Sequence, residues 1–292
     1  MPKPVRVATL FSDADDDLPV AALDISHITA LAAPRTAAGQ PAITLDGKPR
    51  VVMAIGQGGV GKTTLLRWAA EQVISRDDGE PVALATVEPV NRELAHYFPD
   101  AMAPKTQDPA LTTAWLEKLL TVLMDQKRSA AIDFGGGDVS LSRLVAEVPN
   151  LQAMMEEAGV QPVCLYLMSP RETDITPLAI MQQAGFQPQT TALILNLGRS
   201  DPTRDPDQEF RQLRRQPAYR VALDAGAVEI WMPRLYAAKA IEDRRIGFLQ
   251  AVNGQAPDGR PGAALGPFDR SRTQHWLRAM DEAFAPIQSW LP

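Results

Sequence analysis

Short, mostly apolar runs alternate along this chain with longer segments in which apolar residues recur every three or four positions. Val51 to Ile55, Val82 to Val87, Ala130 to Phe134, Val163 to Met168, Ala192 to Leu197 and Val228 to Met232 are of the first kind, and such runs read as strands buried on both faces. Leu65 to Val73, Thr112 to Leu123, Leu141 to Glu157 and Thr173 to Gln183 are of the second kind and predict helices. Strands and helices in alternation predict an α/β fold with a mostly parallel twisted sheet flanked by helices. Ligands in such folds sit at the carboxyl ends of the strands.

Both ends of the chain depart from this alternation. Within residues 1–49, Val5 to Phe11 reads as a short strand, and Ala42 to Lys48 as a strand followed by an Asp46-Gly47 turn. This N-terminal extension is expected to be an edge addition or a partner-binding arm. Asn253 to Phe268 is rich in Gly, Pro and Ala and reads as a loop, after which Trp276, Leu277, Met280, Phe284, Ile287 and Trp290 recur at helical spacing. A C-terminal helix packed on the domain is expected, with partner docking as its other use. Its polar face sets Arg278 against Asp281 and Glu282, which disfavours a membrane surface. The expected organisation is an extension at 1–49, a domain at 50–252, and a loop plus helix at 253–292.

With 292 residues, of which 45% are hydrophobic and 22% charged, the chain is long enough for one large α/β domain with appendages. A net charge of -6 argues against a protein that coats nucleic acid through its overall field. One local cluster, Arg204, Arg211, Arg214, Arg215 and Arg220, is diluted by Asp205, Asp207 and Glu209. A solvated charged face is expected there, with non-specific DNA contact as the alternative. The single cysteine, Cys164, stands in an apolar run and is expected to be a buried thiol rather than a reactive one. Asp13, Asp15, Asp16 and Asp17 interrupt any apolar core of a targeting segment, and no apolar stretch approaches the ~20 residues that cross a bilayer. A cytoplasmic location is expected.

Between the first strand and the first helix stands Gly56-Gln57-Gly58-Gly59-Val60-Gly61-Lys62-Thr63-Thr64, which fits the spacing G-x-x-x-x-G-K-[ST]. Glycines remove the Cβ atoms that would hold the backbone away from a phosphate, so successive N–H groups converge on an anion at a helix N-terminus. Gly58, Gly59, Val60, Gly61, Lys62, Thr63 and Thr64 are the expected nucleotide-binding residues. Lys62 can reach the β- and γ-phosphates, and Thr63 can ligate Mg²⁺. The competing reading, a glycine-rich turn with a surface lysine, leaves the flanking strand and helix as coincidence.

A phosphate loop also needs a carboxylate for the metal, at the end of a neighbouring strand. Asp133 ends the run Ala130 to Ile132 and is followed by Phe134-Gly135-Gly136-Gly137-Asp138. Asp133 is therefore the expected second metal residue, and the glycines a mobile loop that can sense the γ-phosphate. Standing alone, it would read as a turn residue.

The Gly58 to Thr64 loop, the Asp133 loop and the later strand ending in Asn196 together resemble the ParA/MinD family of SIMIBI-class dimerising P-loop ATPases, over Val51 to Asn253. Asp133 to Asp138 and Leu193 to Asn196 look most like its TraL- and StbB-type branch, from plasmid conjugation and stability operons. The resemblance implies ATP and Mg²⁺ as cofactors, a homodimer, and a protein partner from a plasmid or transfer system. It implies catalytic roles for Lys62, Glu88 and Asp133, and adenine contacts at Asn196 and at the Met232-Pro233-Arg234 turn. A polar strand cap and a plain turn are the alternatives for Asn196 and Pro233.

Two positions depart from the family pattern. The lysine that reaches across the family's dimer is replaced by Gln57, which can donate a hydrogen bond but cannot neutralise phosphate charge. Where relatives carry D-x-D-P, this chain reads Thr86-Val87-Glu88-Pro89, so Glu88 alone keeps a carboxylate able to position water or metal. A GTPase of this fold would show N-K-x-D, whereas Asn196-Leu197-Gly198-Arg199 lacks that aspartate, which favours ATP. The expected function is a weak or partner-stimulated switch ATPase in plasmid partition, stability or conjugative transfer. A module that holds nucleotide with little hydrolysis, and a small-molecule kinase or ligase of the dethiobiotin synthetase type, are the alternatives.

Overall fold

A computed structural model describes residues 43–74, 82–88, 93–255 and 264–292. Strands β1 (Arg50–Ile55), β2 (Ala83–Thr86), β3 (Ala130–Asp133), β4 (Gln161–Met168), β5 (Thr191–Asn196) and β6 (Val228–Met232) form one sheet in the order β2-β3-β1-β4-β5-β6. Every neighbouring pair is parallel. The chain therefore passes from β1 to the edge at β2, returns to place β3 between them, crosses β1, and builds outward through β4, β5 and β6 on the other side. That reversal places the end of β1 at the switch point where open α/β sheets bind ligands.

The largely apolar strands are explained by burial on both faces. Val51, Met53, Cys164, Tyr166, Leu193 and Leu195 point into one core, which α3 (Pro109–Gln126), α4 (Ser140–Glu147), α5 (Leu151–Glu157), α6 (Thr176–Gln183) and α9 (Pro217–Asp224) cover. Val52, Ala54, Val163, Leu165, Ala192 and Ile194 point into the other, beneath α1 (Lys62–Ile74), α10 (Ala238–Arg244), α11 (Phe248–Asn253) and α12 (Pro267–Phe284). Cys164 is fully buried, and desolvation pushes its thiol up to about 12, so it is inert packing.

Three expectations are corrected. The single helix expected over Leu141 to Glu157 is two helices, because Pro149 disfavours helical backbone at the residue before it, and Val148 lies at φ -128, ψ 77. The helix expected from Thr173 begins as a 3-10 turn, Glu172–Ile175, and becomes α6 only at Thr176, with Pro177 in its first turn. Residues 43–48 form no strand. The Asp46-Gly47 turn does form, with Gly47 at φ 69 and the Lys48 amide donating to the Leu45 carbonyl at 3.0 Å. Val5 to Phe11 and the middle of the Asn253 to Phe268 loop lie outside the described residues.

On α12 and the 3-10 turn after it, Ala285–Trp290, the residues Trp276, Met280, Phe284, Ile287 and Trp290 are buried. The Trp276 ring packs on Phe248 at 4.8 Å, and Phe284 on Trp68 of α1 at 5.0 Å. The same turn receives the chain before β1: the Leu45 amide donates to Ser289 Oγ at 3.1 Å, and the Trp290 indole to the Ile43 carbonyl. No helix among the described residues is long and apolar enough to cross a membrane.

Candidate nucleotide-binding site

β1 ends at Ile55 and α1 starts at Lys62, so residues 56–61 form the strand-to-helix loop. Gly61 adopts φ +101, and a Cβ there would lie 2.5 Å from Asn196 Nδ2, so no other residue fits without displacing that side chain. Lys62 is buried and donates to the Gly56 carbonyl at 3.0 Å and the Gln57 carbonyl at 2.9 Å. Burial lowers its pKa, with Asp133 and Glu88 pulling the other way.

The register of the sheet aligns the neighbouring strand ends with this loop. Ala54 stands opposite Asp133 and Asp133 opposite Thr86, so β1, β2 and β3 end together. The Thr63 hydroxyl donates to Asp133 Oδ2 at 2.7 Å. Burial raises the Asp133 carboxyl to about 6, against the Thr63 hydrogen bond and the Lys62 charge. A hydroxyl beside a buried carboxylate with few donors supplies two of the oxygen ligands of a hard cation, the remainder being left to water and phosphate, so Thr63 and Asp133 fit Mg²⁺. The loop beyond Asp133 lies directly on the cradle, since a Cβ on Gly136 would come within 2.3 Å of the Gly58 nitrogen. Glu88 is beside that loop, its Oε2 3.1 Å from where a Gly135 Cβ would stand.

Asn196 ends β5 and is 5% exposed. Its Nδ2 donates to the Val60 carbonyl at 2.7 Å, and its Oδ1 accepts from the Gly198 amide at 2.8 Å, so both ends of the amide brace the phosphate loop against the following turn. Pro233 stands one strand further out. Its carbonyl accepts from the Trp276 indole at 3.0 Å, and its neighbour Arg234 donates to the Ser200 carbonyl. Gly58 to Thr64, Glu88, Asp133 and Asn196 thus converge, and Pro233 reaches them only through Arg234 and the Ser200 turn.

Two groups at this edge escaped the sequence reading. After β4, Asp174 is 1% exposed; its Oδ2 accepts from the Ser169 amide at 2.8 Å and hydroxyl at 2.6 Å, and Arg171 pairs with it at 3.1 Å. After β5, Arg199 lies over the loop, with Nη2 3.2 Å from the place of a Gly59 Cβ. Asp174 follows β4, the neighbour of β1, and Arg199 follows β5, one strand further out, an order which only the assembled topology reveals.

Sheet order, loop and aligned carboxylate define a P-loop nucleotide-binding NTPase fold. No protein-family model matches the chain, and no curated protein does. Among solved structures it is similar to cell division protein FtsY from Thermotoga maritima, at 14% identity and TM-score 0.40, over 65% of this chain and 64% of that one. It is also similar to the signal recognition particle receptor FtsY from Elizabethkingia anophelis in complex with GDP, at 15% identity and TM-score 0.38, over 66% and 61%. The chain spans less than two thirds of these proteins' length. Likeness at this level concerns the fold alone.

Proposed function

We propose that this chain is a SIMIBI-class switch that binds ATP with Mg²⁺ and signals the bound state through the loop after Asp133. The supporting observation is the backbone contact between Gly136 and Gly58. Whatever enters the cradle at Gly58 must displace the glycine loop, so occupancy of the site is coupled to movement of a surface segment. Lys62 turns from the Gly56 and Gln57 carbonyls to the phosphates, while Thr63 and Asp133 hold Mg²⁺, whose charge offsets that of the phosphates. The loop backbone from Gly58 to Thr64 cradles the anion. Asn196 holds that loop in shape beside the base, and the Pro233 turn lines the far side.

Glu88, beside Gly135, is the residue positioned to orient water. With Gln57 and Thr86 in place of charged groups, turnover is slow or partner-stimulated. The run Asn196-Leu197-Gly198-Arg199 lacks a guanine-reading aspartate, which supports ATP over GTP. The domain is residues 50–252, with 1–49 and 253–292 as appendages, and the switch closes a homodimer or a partner surface. By the resemblance quoted above, the cellular setting is plasmid partition, stability or conjugative transfer in the cytoplasm, with a plasmid or transfer-system protein as partner. Non-specific DNA contact falls to the exposed Arg211, Arg215 and Arg220.

Calorimetric titration with ATP and GTP in Mg²⁺ tests the reading. ATP should bind, and Lys62→Ala should weaken it on the order of 10-fold to 100-fold through loss of a charged hydrogen bond. Unchanged binding in Lys62→Ala, or no binding of either nucleotide by the parent, would sink it. Light scattering in ATP and ADP then reads the switch: Gly136→Ala should keep nucleotide binding and lose any ATP-dependent change in mass or partner binding.

A further inference from the structure

The cradle is short of positive charge. Lys62 is the loop's single cation, and Asp133, Glu88, Asp174 and Glu93 all act on it electrostatically. Asp174 has its own cation in Arg171, at 3.1 Å. The other three carboxylates, together with an incoming triphosphate, place far more negative charge at this edge than Lys62 and one Mg²⁺ offset. Gln57, at the mouth of the loop, is neutral.

Arg199 is placed to supply the missing charge. It ends the 3-10 turn Leu197–Arg199, which Asn196 caps by accepting from the Gly198 amide at 2.8 Å. The same Asn196 donates to the Val60 carbonyl at 2.7 Å. One amide therefore fixes the turn that carries Arg199 and the loop it overhangs, so the spacing between them is built in. The guanidinium is exposed, with Nη2 3.2 Å from the place of a Gly59 Cβ, and it makes no hydrogen bond or ion pair among the described residues. A free guanidinium with planar paired donors, anchored at the rim of an anion cradle, matches phosphate oxygens.

Resting on the nucleotide-switch reading above, we propose that Arg199 is a second phosphate-binding residue acting in cis, closing from the end of β5 over Gly59 onto the terminal phosphates of the bound nucleotide. The chain thereby supplies from its own β5 turn a cation that Gln57 does not. Gly59 is part of the device, since a side chain there would meet the guanidinium.

Affinities for ATP, ADP and adenosine, measured with Mg²⁺ at two salt concentrations, test this on the parent, Arg199→Ala, Arg199→Lys and Lys62→Ala. Arg199→Ala should weaken ATP on the order of 10-fold to 100-fold, ADP less, and adenosine not at all, with a shallower salt dependence. Arg199→Lys should restore part of the loss, because it keeps the charge without the paired donors. The site is exposed, so melting temperature should not change. Equal weakening of all three ligands would overturn the proposal and assign Arg199 to the base. Unchanged ATP binding in Arg199→Ala, while Lys62→Ala loses it, would overturn the proposal and leave the switch reading standing. Failure of the parent to bind any nucleotide would remove both.

Discussion

Glu229 and Asp133 are carboxylates on strands of the same sheet, at 6% and 7% exposure, yet their surroundings differ sharply. Glu229 Oε1 accepts from Arg214 Nη2 at 3.1 Å and the Trp231 indole at 3.2 Å, and Oε2 accepts from Arg214 Nε at 3.0 Å and the Tyr219 hydroxyl. Asp133 has one hydroxyl donor, Thr63. Burial, only partly offset by that one hydrogen bond, raises its carboxyl to about 6. A carboxylate that ties a fold together is surrounded by donors within the chain, whereas one kept short of donors is ready for a cation from outside. Glu229 therefore reads as structure, and Asp133 as site.

The sharpest way to break that contrast is Glu229→Gln. The amide keeps one acceptor but turns its NH₂ toward the Arg214 guanidinium and the Tyr219 hydroxyl, leaving donors facing donors in a buried place. We expect a loss of about 3 kcal/mol, below the full penalty for a dry ion pair because Arg214 is partly exposed, and a Tm lower by about 6–12 °C. Urea unfolding with and without Mg²⁺ and ATP should show the same loss in both. A Glu229→Gln protein as stable as the parent would erase the distinction.

Asp133→Asn should act in the opposite direction. Removing a charge that burial disfavours stabilises the nucleotide-free protein by about 2 kcal/mol near pH 8, while the Mg²⁺ dependence of ATP affinity is lost. Stability gained together with metal response lost is the signature of a site residue. A loss of stability would mean that Asp133 is structural after all.

The same contrast has a pH form. The folded carboxyl titrates at about 6, above its ordinary 3.8, so the nucleotide-free folded state binds more protons than the unfolded chain between those values. The favourable contribution is therefore complete below about pH 4 and is lost as pH rises through about 6, with no further change above it. Stability of the parent relative to Asp133→Asn, measured by urea unfolding from pH 4 to pH 8, should fall by about 2 kcal/mol across that window. A flat difference would remove the assignment.

What the sequence disclosed and what it hid divide along the same line. Gly56 to Thr64 was legible because its spacing is local, and Asp133 because a strand pattern runs straight into it. The strand runs were legible because burial on both faces leaves few polar residues to confuse the period. Pro149 was equally local, and its break of the Leu141 to Glu157 helix follows from backbone sterics at Val148. Arg214 was not legible. It sits among arginines that read as one solvated face, and only β6 pairing beside β5 brings Glu229 to it, fifteen residues away. Arg199 stayed hidden for a related reason: its place above Gly59 depends on Asn196 bridging two loops that are 136 residues apart in the chain.

The smallest expected effect tests the one donor that Asp133 has. Thr63→Ala removes the 2.7 Å hydrogen bond and leaves a buried carboxylate with no hydroxyl partner, which should cost about 1 kcal/mol at pH 8. At pH 4.5 Asp133 is mostly protonated in the folded state, so the penalty should shrink, because a neutral carboxyl loses far less than a carboxylate when its donor is removed. Thr63→Ser keeps the donor and should match the parent at both pH values. In the Asp133→Asn background the cost of Thr63→Ala should fall below its value in the parent, and the difference is the coupling between the two residues that Mg²⁺ is expected to bridge. A pH-independent cost, undiminished in that background, would place Thr63 in the packing of α1 rather than in partnership with Asp133.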